Sequence, residues 1–155
     1  MRIHIVAIGA RLPAWVEDGC REYAKRIKGQ IRVVLHEVSP AHRTKGADLK
    51  RLLRDEGARL LKSVPARCRI IALDRSGRRF DTRQLCEELT ARLNRSEDLA
   101  MLIGGPEGLD PQCLKSAQAV WSLSPLTLAH PLARLVLVEQ LYRVWSIINN
   151  LPYHR

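Results

Sequence analysis

DLAMLIGGPEGLD, residues 98 to 110, joins two local patterns that together indicate the fold class. It contains LAMLI (99 to 103), an apolar run short enough to be a buried strand. A turn with three glycines follows, and then Asp110 and Pro111, which are favourable as the cap and first residue of a helix. The stretch therefore predicts a strand, a tight turn and a helix.

The same alternation of strand and helix extends along the chain. Further strands are predicted at 3–8, 31–38, 69–74 and 121–124, and helices at 13–27, 47–62, 82–94, 110–120 and 131–149. The segment RSGRRFD (75 to 81) is expected to be a loop. Five alternations predict one α/β domain over residues 1–155, with a parallel sheet covered by helices on both faces.

Charge and composition restrict the classes of partner. The chain has 26 Lys and Arg against 16 Asp and Glu, a net charge of +10, which favours a polyanion such as nucleic acid over a membrane surface. A basic protein without such a partner is the alternative. The aromatic content of 5% argues against a surface that stacks rows of bases.

Targeting and metal-binding signals are missing from the sequence pattern. The first residues lack a signal-peptide pattern, and no apolar run approaches the ~20 residues of a membrane span, so we expect a cytoplasmic protein without a membrane segment. Cys20, Cys68, Cys86 and Cys113 are far apart and form no CxxC pair. We therefore expect buried thiols and no metal site.

The glycine turn (residues 104–108) lies at the carboxyl end of a predicted strand, where parallel sheets bind ligands. Its sequence GGPEG has Pro106 in place of the second glycine of the dinucleotide fingerprint, and no Lys follows Gly108 as a phosphate loop requires. A phosphate site, and hence a nucleotide-dependent enzyme, is disfavoured. The turn either only connects strand to helix or admits a ligand close to the main chain.

The C-terminal third offers two further features. In WSLSPLTLAHP (121 to 131) the only ionisable side chain is His130, which suits an uncharged heterocycle held by main-chain hydrogen bonds. The helix that follows is apolar on nearly every side, as expected of a buried helix or an oligomer interface. Glu139, Arg143 and Ser146 share one stripe, which is either an intrahelical ion pair or a polar wall of a site.

Three motifs carry a resemblance to a known family: IGGPEG, WSLSPLTLAHPLARLVLVEQLYRVWS and the terminal NLPYHR. Together they resemble the small bacterial 23S ribosomal RNA pseudouridine N3-methyltransferases of the SPOUT superfamily, from RIHIVAIG and the PxWV of Pro13 to Val16 through PYHR. The resemblance implies an S-adenosylmethionine-dependent homodimer with a C-terminal trefoil knot. It also implies methylation of N3 of a pseudouridine in 23S rRNA, on assembled ribosomes.

The resemblance also assigns residues by motif. The cofactor is expected at Leu73, Gly105, Ser124, Pro125, Leu126, Thr127, Leu128 and Ala129. Many members have alanine where this chain has Pro125, or proline where it has Ala129, which affects the stiffness of the loop.

Catalytic roles fall to four residues near the C-terminus. His154 is expected to act as the base, Arg143 to hold a carbonyl or phosphate and stabilise the anionic base, and Tyr153 to orient or stack on the target. Glu139 is expected to position Arg143. RNA phosphates are expected at the densest basic cluster, which comprises Arg43, Lys45, Lys50, Arg51 and Arg54.

Two alternatives to this reaction stay open at the level of sequence. One is a methyltransferase of the same superfamily that acts on another RNA site. The other is a noncatalytic basic factor that only binds ribosomes. Cofactor binding separates the second from an enzyme.

Overall fold

The computed structural model describes residues 1–9, 12–43 and 46–154, apart from the side chain of His154. Its elements are β1 (Arg2–Ile8), α1 (Ala14–Arg26), β2 (Arg32–Val38), α2 (Leu49–Lys62), β3 (Arg69–Arg79), α3 (Thr82–Asn94), β4 (Leu99–Ile103), α4 (Pro111–Ser116), β5 (Ala119–Ser122), α5 (His130–Ile148) and a 3-10 turn at Pro152–His154. The strands form a five-stranded sheet in the order β2-β1-β4-β3-β5, and every pairing is parallel.

Alternating side chains of the sheet enter two separate apolar cores. In β1, Ile3 and Ile5 pack with residues of α1, α3 and α5, whereas Val6 and Ile8 pack with residues of α2 and α4. Because both faces are covered, the central strand β4 is buried along its whole length. The predicted α/β class, with a parallel sheet between two helical layers, is confirmed. The trefoil knot stays a prediction.

Two helices begin at capping signals that are visible in the sequence. At the start of α3, the carboxylate of Asp81 accepts from the backbone of Gln84, whose side chain in turn accepts from the backbone of Asp81. At the start of α4, Asp110 accepts from the backbone of Gln112, and Pro111 occupies the first turn. The predicted bounds of α3 and the predicted start of α4 agree with the structure for this reason.

The predicted loop at residues 75–81 is wrong for most of its length, because β3 continues to Arg79. Leu73 pairs with Trp121, and after a bulge Arg78 pairs with the same residue and Arg79 with Ser122. Gly77 permits this return, since an added Cβ would lie 2.6 Å from backbone atoms of Val120 and Trp121. Polar residues and glycine indicate a loop locally, but hydrogen bonds to β5 make the segment a strand.

Smaller differences concern α4, β5, the cysteines and Trp15. Helix α4 ends at Ser116 instead of Val120, and β5 spans residues 119–122 instead of 121–124, because pairing with β3 begins at Ala119. Cys20 and Cys113 are buried as predicted, whereas Cys68 and Cys86 are partly exposed. Trp15, which belongs to the PxWV motif at the start of α1, is 60% exposed.

Candidate active site

The three segments expected to hold the cofactor follow one row of paired residues in the sheet. Leu73 of β3 pairs with Ile103 of β4 on one side and with Trp121 of β5 on the other. Neighbouring strands lie about 4.8 Å apart, so the row spans about 10 Å. The structure thus brings Leu73, the glycine turn after Ile103 and the segment after β5 to the same carboxyl edge.

The glycine turn is built from backbone in close contact with backbone. An added Cβ on Gly104 would overlap the carbonyl group of Gly108. Gly108 has φ +89°, and its N–H donates to the carbonyl of Gly105 at 3.0 Å. At Gly105, an added Cβ would come within 3.2 Å of Oε2 of Glu56 and 3.3 Å of the Ile8 side chain. The turn therefore has no room for side chains at Gly104 and little at Gly105.

The loop that is expected to bind the cofactor, called the cofactor loop (residues 123–129), carries no charged side chain. The Ser122 hydroxyl donates to the carbonyl of Ser124 at 3.0 Å, and the N–H of Leu126 donates to the Ser124 hydroxyl at 2.9 Å. Leu126 is 74% exposed. Pro125, Thr127 and Ala129 are also exposed, and Ser124 and Leu128 are partly buried. The loop offers main-chain groups and an apolar side chain to a ligand at the edge of the sheet.

A buried carboxylate connects the glycine turn to the loop before α2. Glu56 is 2% exposed, and its Oε1 accepts from the N–H of Ala41 at 3.0 Å and from Arg43 at 3.3 Å. Arg43 also donates to Glu107 at 2.5 Å, and this hydrogen bond lowers the pKa of the Glu107 carboxyl. Arg43 thus joins α2 to the glycine turn.

A second buried charge lies where α5 begins. Arg134 is 2% exposed, pairs with Glu37 at 3.0 Å and lies 3.4 Å from the carbonyl of Ile8. Burial, and then the guanidinium groups of Arg134 and Arg43, lower the pKa of His130. The imidazole is therefore mainly neutral at pH 7 and adds no positive charge where α5 begins.

Sequence reasoning missed Glu56, Arg134 and Glu37. A usable signal exists for the first two, because each charged residue occupies an apolar stripe of its helix. Glu56 lies four residues from Leu52 and from Leu60, and Arg134 lies three and four residues before Leu137 and Val138. Glu37 has no comparable signal in the strand pattern.

The tail cluster (Glu139, Arg143 and Tyr153) gathers three of the four predicted catalytic residues. Oε1 of Glu139 accepts from Nε of Arg143 at 3.1 Å and from Nη2 at 2.7 Å, and lies 3.1 Å from the Tyr153 hydroxyl. The Arg143 guanidinium lies 4.9 Å from the centre of the Tyr153 ring. His154 belongs to the same 3-10 turn, but its side chain lies outside the described residues.

Of the two alternatives for the polar stripe of α5, the ion pair is present, and a polar wall of a site stays a prediction. The intrahelical pair between Glu139 and Arg143 is present, and Tyr153 joins it from outside the helix. Ser146 is not part of a polar wall, because it is fully buried and its hydroxyl donates to the carbonyl of Arg143 at 2.7 Å.

Burial and hydrogen bonds set the protonation state of Tyr153. Burial raises the pKa of its phenol, and the hydrogen bonds to Tyr23 and Glu139 raise it further. The phenol therefore keeps its proton at neutral pH. It can donate a hydrogen bond or orient a base, but it is not prepared to accept a proton.

The two groups of candidate residues lie at different places along α5. The cofactor loop ends where α5 begins at His130, whereas Arg143 lies 13 positions further along the helix. At 1.5 Å per residue this separates their backbones by about 20 Å along the axis. Within one chain, the structure does not bring the tail cluster to the cofactor loop.

The predicted RNA contacts differ in whether their side chains are free to bind phosphate. Lys50, Arg51 and Arg54 are exposed on α2, as a phosphate contact requires, whereas Arg43 is engaged by Glu56 and Glu107. Lys45 lies outside the described residues. Among the side chains that the structure describes, no three His, Cys, Asp or Glu are grouped to hold a metal ion, and none of the described helices could cross a membrane.

Comparison with known proteins now identifies the family. A family model described as "Predicted SPOUT methyltransferase" matches residues 1–154. "Ribosomal RNA large subunit methyltransferase H" of Thioalkalivibrio sulfidiphilus is 48% identical over all of this chain and 99% of its own length. The protein of the same name from Methylococcus capsulatus is 43% identical over the full length of both chains.

Solved structures agree in fold. A probable methylase family protein from Haemophilus influenzae superposes with a TM-score of 0.56 and 16% identity, covering 99% of this chain and 70% of that one. Because the sequence identity is low, this structural likeness supports the fold alone. Because the family model and both relatives span essentially the whole chain, the protein belongs to the SPOUT methyltransferase family and is a methyltransferase.

Proposed function

We propose that this enzyme transfers a methyl group from S-adenosylmethionine to N3 of a pseudouridine in 23S rRNA, on assembled ribosomes in the cytoplasm. The relatives named as large-subunit ribosomal RNA methyltransferases support the substrate class, and the net charge of +10 suits a polyanion. The observation that supports the cofactor assignment is the row of Ile103, Leu73 and Trp121, because the three segments expected to hold the cofactor meet there at the carboxyl edge, where parallel sheets bind ligands.

The site fits adenosylmethionine better than a phosphate-bearing ligand. The glycine turn lets a ligand approach the main chain, and the cofactor loop can enclose an adenine with Leu126 and main-chain groups. Leu73, Gly105 and residues 124–129 would hold it. When bound, the cofactor supplies an electrophilic methyl group.

The chain's own residues must align the target base and remove its N3 proton. Nε and Nη2 of Arg143 are bonded to Glu139, so the guanidinium is fixed while Nη1 can bind a base carbonyl or a phosphate and stabilise an anionic base. Tyr153, with its proton retained, orients the base. His154 is proposed as the proton acceptor.

A homodimer would unite the two ends of α5. One chain places the tail cluster about 20 Å along the helix from the cofactor loop, too far for one nucleotide base to contact both. A second copy can bring its tail cluster to the first copy's cofactor loop if the chains pack across α5. We therefore propose a dimer in which each active site takes the cofactor loop from one subunit and the tail from the other.

Mixing two inactive variants tests this dimer. Gly105→Val is expected to block the approach to the glycine turn, and Arg143→Ala to remove the guanidinium. After refolding together in equal amounts, half of the dimers are mixed and each has one intact composite site, so activity should recover to about one quarter of the wild-type value. Each variant refolded alone is the control, and no recovery would show that the two defects lie in one site of one chain.

The reaction is tested by methyl transfer from labelled cofactor to ribosomes that lack the modification, compared with free rRNA. Mass spectrometry of digested RNA should find the new methyl group at N3 of pseudouridine. A methyl group elsewhere would favour another RNA site. The absence of both transfer and heat on titration with S-adenosylhomocysteine would favour the noncatalytic ribosome-binding factor.

A further inference from the structure

The extension of β3 presents three arginines beside the cofactor loop. We propose that this arginine ridge (Arg75, Arg78 and Arg79) binds the phosphate backbone of the RNA substrate next to the target nucleotide. This inference rests on the proposed function, and it assigns the RNA to a surface other than the basic face of α2.

The fold holds the ridge at the carboxyl edge of the sheet. Gly77 packs against the backbone of β5, and Arg79 then pairs with Ser122. The hydroxyl of Ser122 in turn donates to Ser124 in the cofactor loop. A bulge at this point turns the chain back along β5, so the arginines follow the strand that leads into the cofactor loop.

The three arginines are available to an external anion. All three are exposed, and none forms an ion pair with any carboxylate that the structure describes. The nearest acidic residues in sequence form hydrogen bonds with their own neighbours: Asp74 accepts from the N–H and hydroxyl of Ser76, and Asp81 caps α3. Several other exposed arginines are already engaged by carboxylates, as Arg21 is by Glu17 within α1 and Arg2 is by Asp98.

One ridge residue is also held in place before any ligand arrives. The guanidinium of Arg78 lies 4.6 Å from the centre of the Phe80 ring, and Phe80 packs edge-on against Trp121 at 5.0 Å. A stacked guanidinium keeps its N–H groups free at the edge, which is the geometry that binds phosphate oxygens in pairs. We therefore favour RNA phosphates over the carboxylates of a protein partner as the ligand of this surface.

The test is the salt dependence of binding to ribosomes that lack the modification. The double variant Arg75→Ala with Arg79→Ala keeps the Arg78 stack and removes two positive charges. Each phosphate contact contributes roughly 0.7 to 0.9 to the slope of log affinity against log salt, so the slope should fall by about 1.4 to 1.8. Binding at low salt should weaken, while affinity for S-adenosylhomocysteine stays unchanged.

The matched control is Arg32→Ala with Arg95→Ala. These arginines are also exposed, but they lie at the start of β2 and just before β4. Both positions are at the amino ends of strands, whereas the arginine ridge lies at the carboxyl ends. The control should keep the wild-type slope. An equal loss of slope in both double variants, an unchanged slope in the ridge variant, or a loss confined to Lys50→Ala with Arg51→Ala would overturn the proposal.

The proposed function can fail separately. If the wild-type enzyme bound ribosomes but methylated no pseudouridine, the reaction assignment would be wrong, while the slopes would still decide whether the ridge contacts RNA. Thermal midpoints of the variants show whether a lost contact reflects loss of folding.

Discussion

The two ends of α5 differ in whether their polar groups come from the backbone or from side chains. At its start, the glycine turn and the cofactor loop offer backbone atoms, and the neighbouring charges of Arg43, Glu56 and Arg134 are paired or buried. Near its C-terminal end, the tail cluster is made of side chains that hold one another in a fixed arrangement.

The difference matches the two chemical tasks of a methyltransferase. Binding a neutral adenosine favours main-chain groups in an uncharged loop, since each hydrogen bond is short-ranged and needs close approach. Holding and deprotonating a base favours side chains with a defined charge. The separation of these tasks within one chain is the reason for proposing a composite site in a dimer.

Arg143→Ala should have the largest effect. It removes the fixed guanidinium of the tail cluster while leaving the cofactor loop intact, so methyl transfer should fall by about 100-fold or more. Affinity for S-adenosylhomocysteine should stay within about twofold, because the two ends of α5 act separately. Calorimetry and transfer assays measure both, with Asn149→Ala, just after the same helix, as a control. Loss of cofactor affinity would contradict the separation.

Gly104→Ala tests the glycine turn. Its Cβ would overlap the rigid backbone of Gly108, so the free energy of unfolding should fall by about 3 kcal/mol and the cofactor should bind poorly. Gly108→Ala is the matched control, because it has open space and only the strain of φ +89°, about 1 kcal/mol. Denaturant unfolding gives both values, and equal losses would show that overlap is not the cause.

Arg43→Ala sharpens the distinction between cofactor positioning and RNA binding. Without the guanidinium, Glu56 keeps a buried charge without its cation and Glu107 is released, so cofactor affinity should fall about five- to tenfold. Calorimetry measures this, with exposed Arg51→Ala as control. If Arg43→Ala instead left cofactor affinity unchanged and lowered the salt slope of RNA binding, Arg43 would be the phosphate contact that the sequence predicted.

The smallest effect concerns pH at the start of α5. Because burial and nearby guanidinium groups lower the pKa of His130, the unfolded chain takes up a proton below pH about 6.5 that the folded chain does not. Stability should therefore decline as pH falls through this value and level off below the folded pKa. His130→Gln should reduce that decline, measured by urea unfolding at pH 7.5 and 5. If His130→Gln left the decline of stability with falling pH unaltered, this role of His130 would be wrong. His42→Gln is the control.

The elements with local signals could be predicted from the sequence. Asp81 and Gln84 begin α3, and the apolar run up to Ile103 followed by glycine bounds β4. The extension of β3 could not be predicted, because RSGRR indicates a turn unless β5 is known to lie beside it. The same reason explains the early end of α4, since pairing with β3 takes over at Ala119.

The candidate site was predictable in its parts and not in its arrangement. The neutral loop, the glycine turn and the PYHR tail are sequence motifs. The structure brings the first two to one edge of the sheet, and it brings Tyr153 of the tail to Glu139 of α5. That Arg43 is held by two carboxylates had no signal, because Glu107 is 64 positions away. Its role as an RNA contact stays a prediction.

By itself, the sequence determined the α/β class, most element bounds, the absence of charge in residues 123–129 and the family, since periodicity, capping and motifs depend on neighbouring residues. Only the tertiary structure decided that β3 lies between β4 and β5, that Arg43 joins α2 to the glycine turn, and that the two ends of α5 lie apart. These features depend on hydrogen bonds and ion pairs between distant segments. Their energies are realised only once the sheet is assembled.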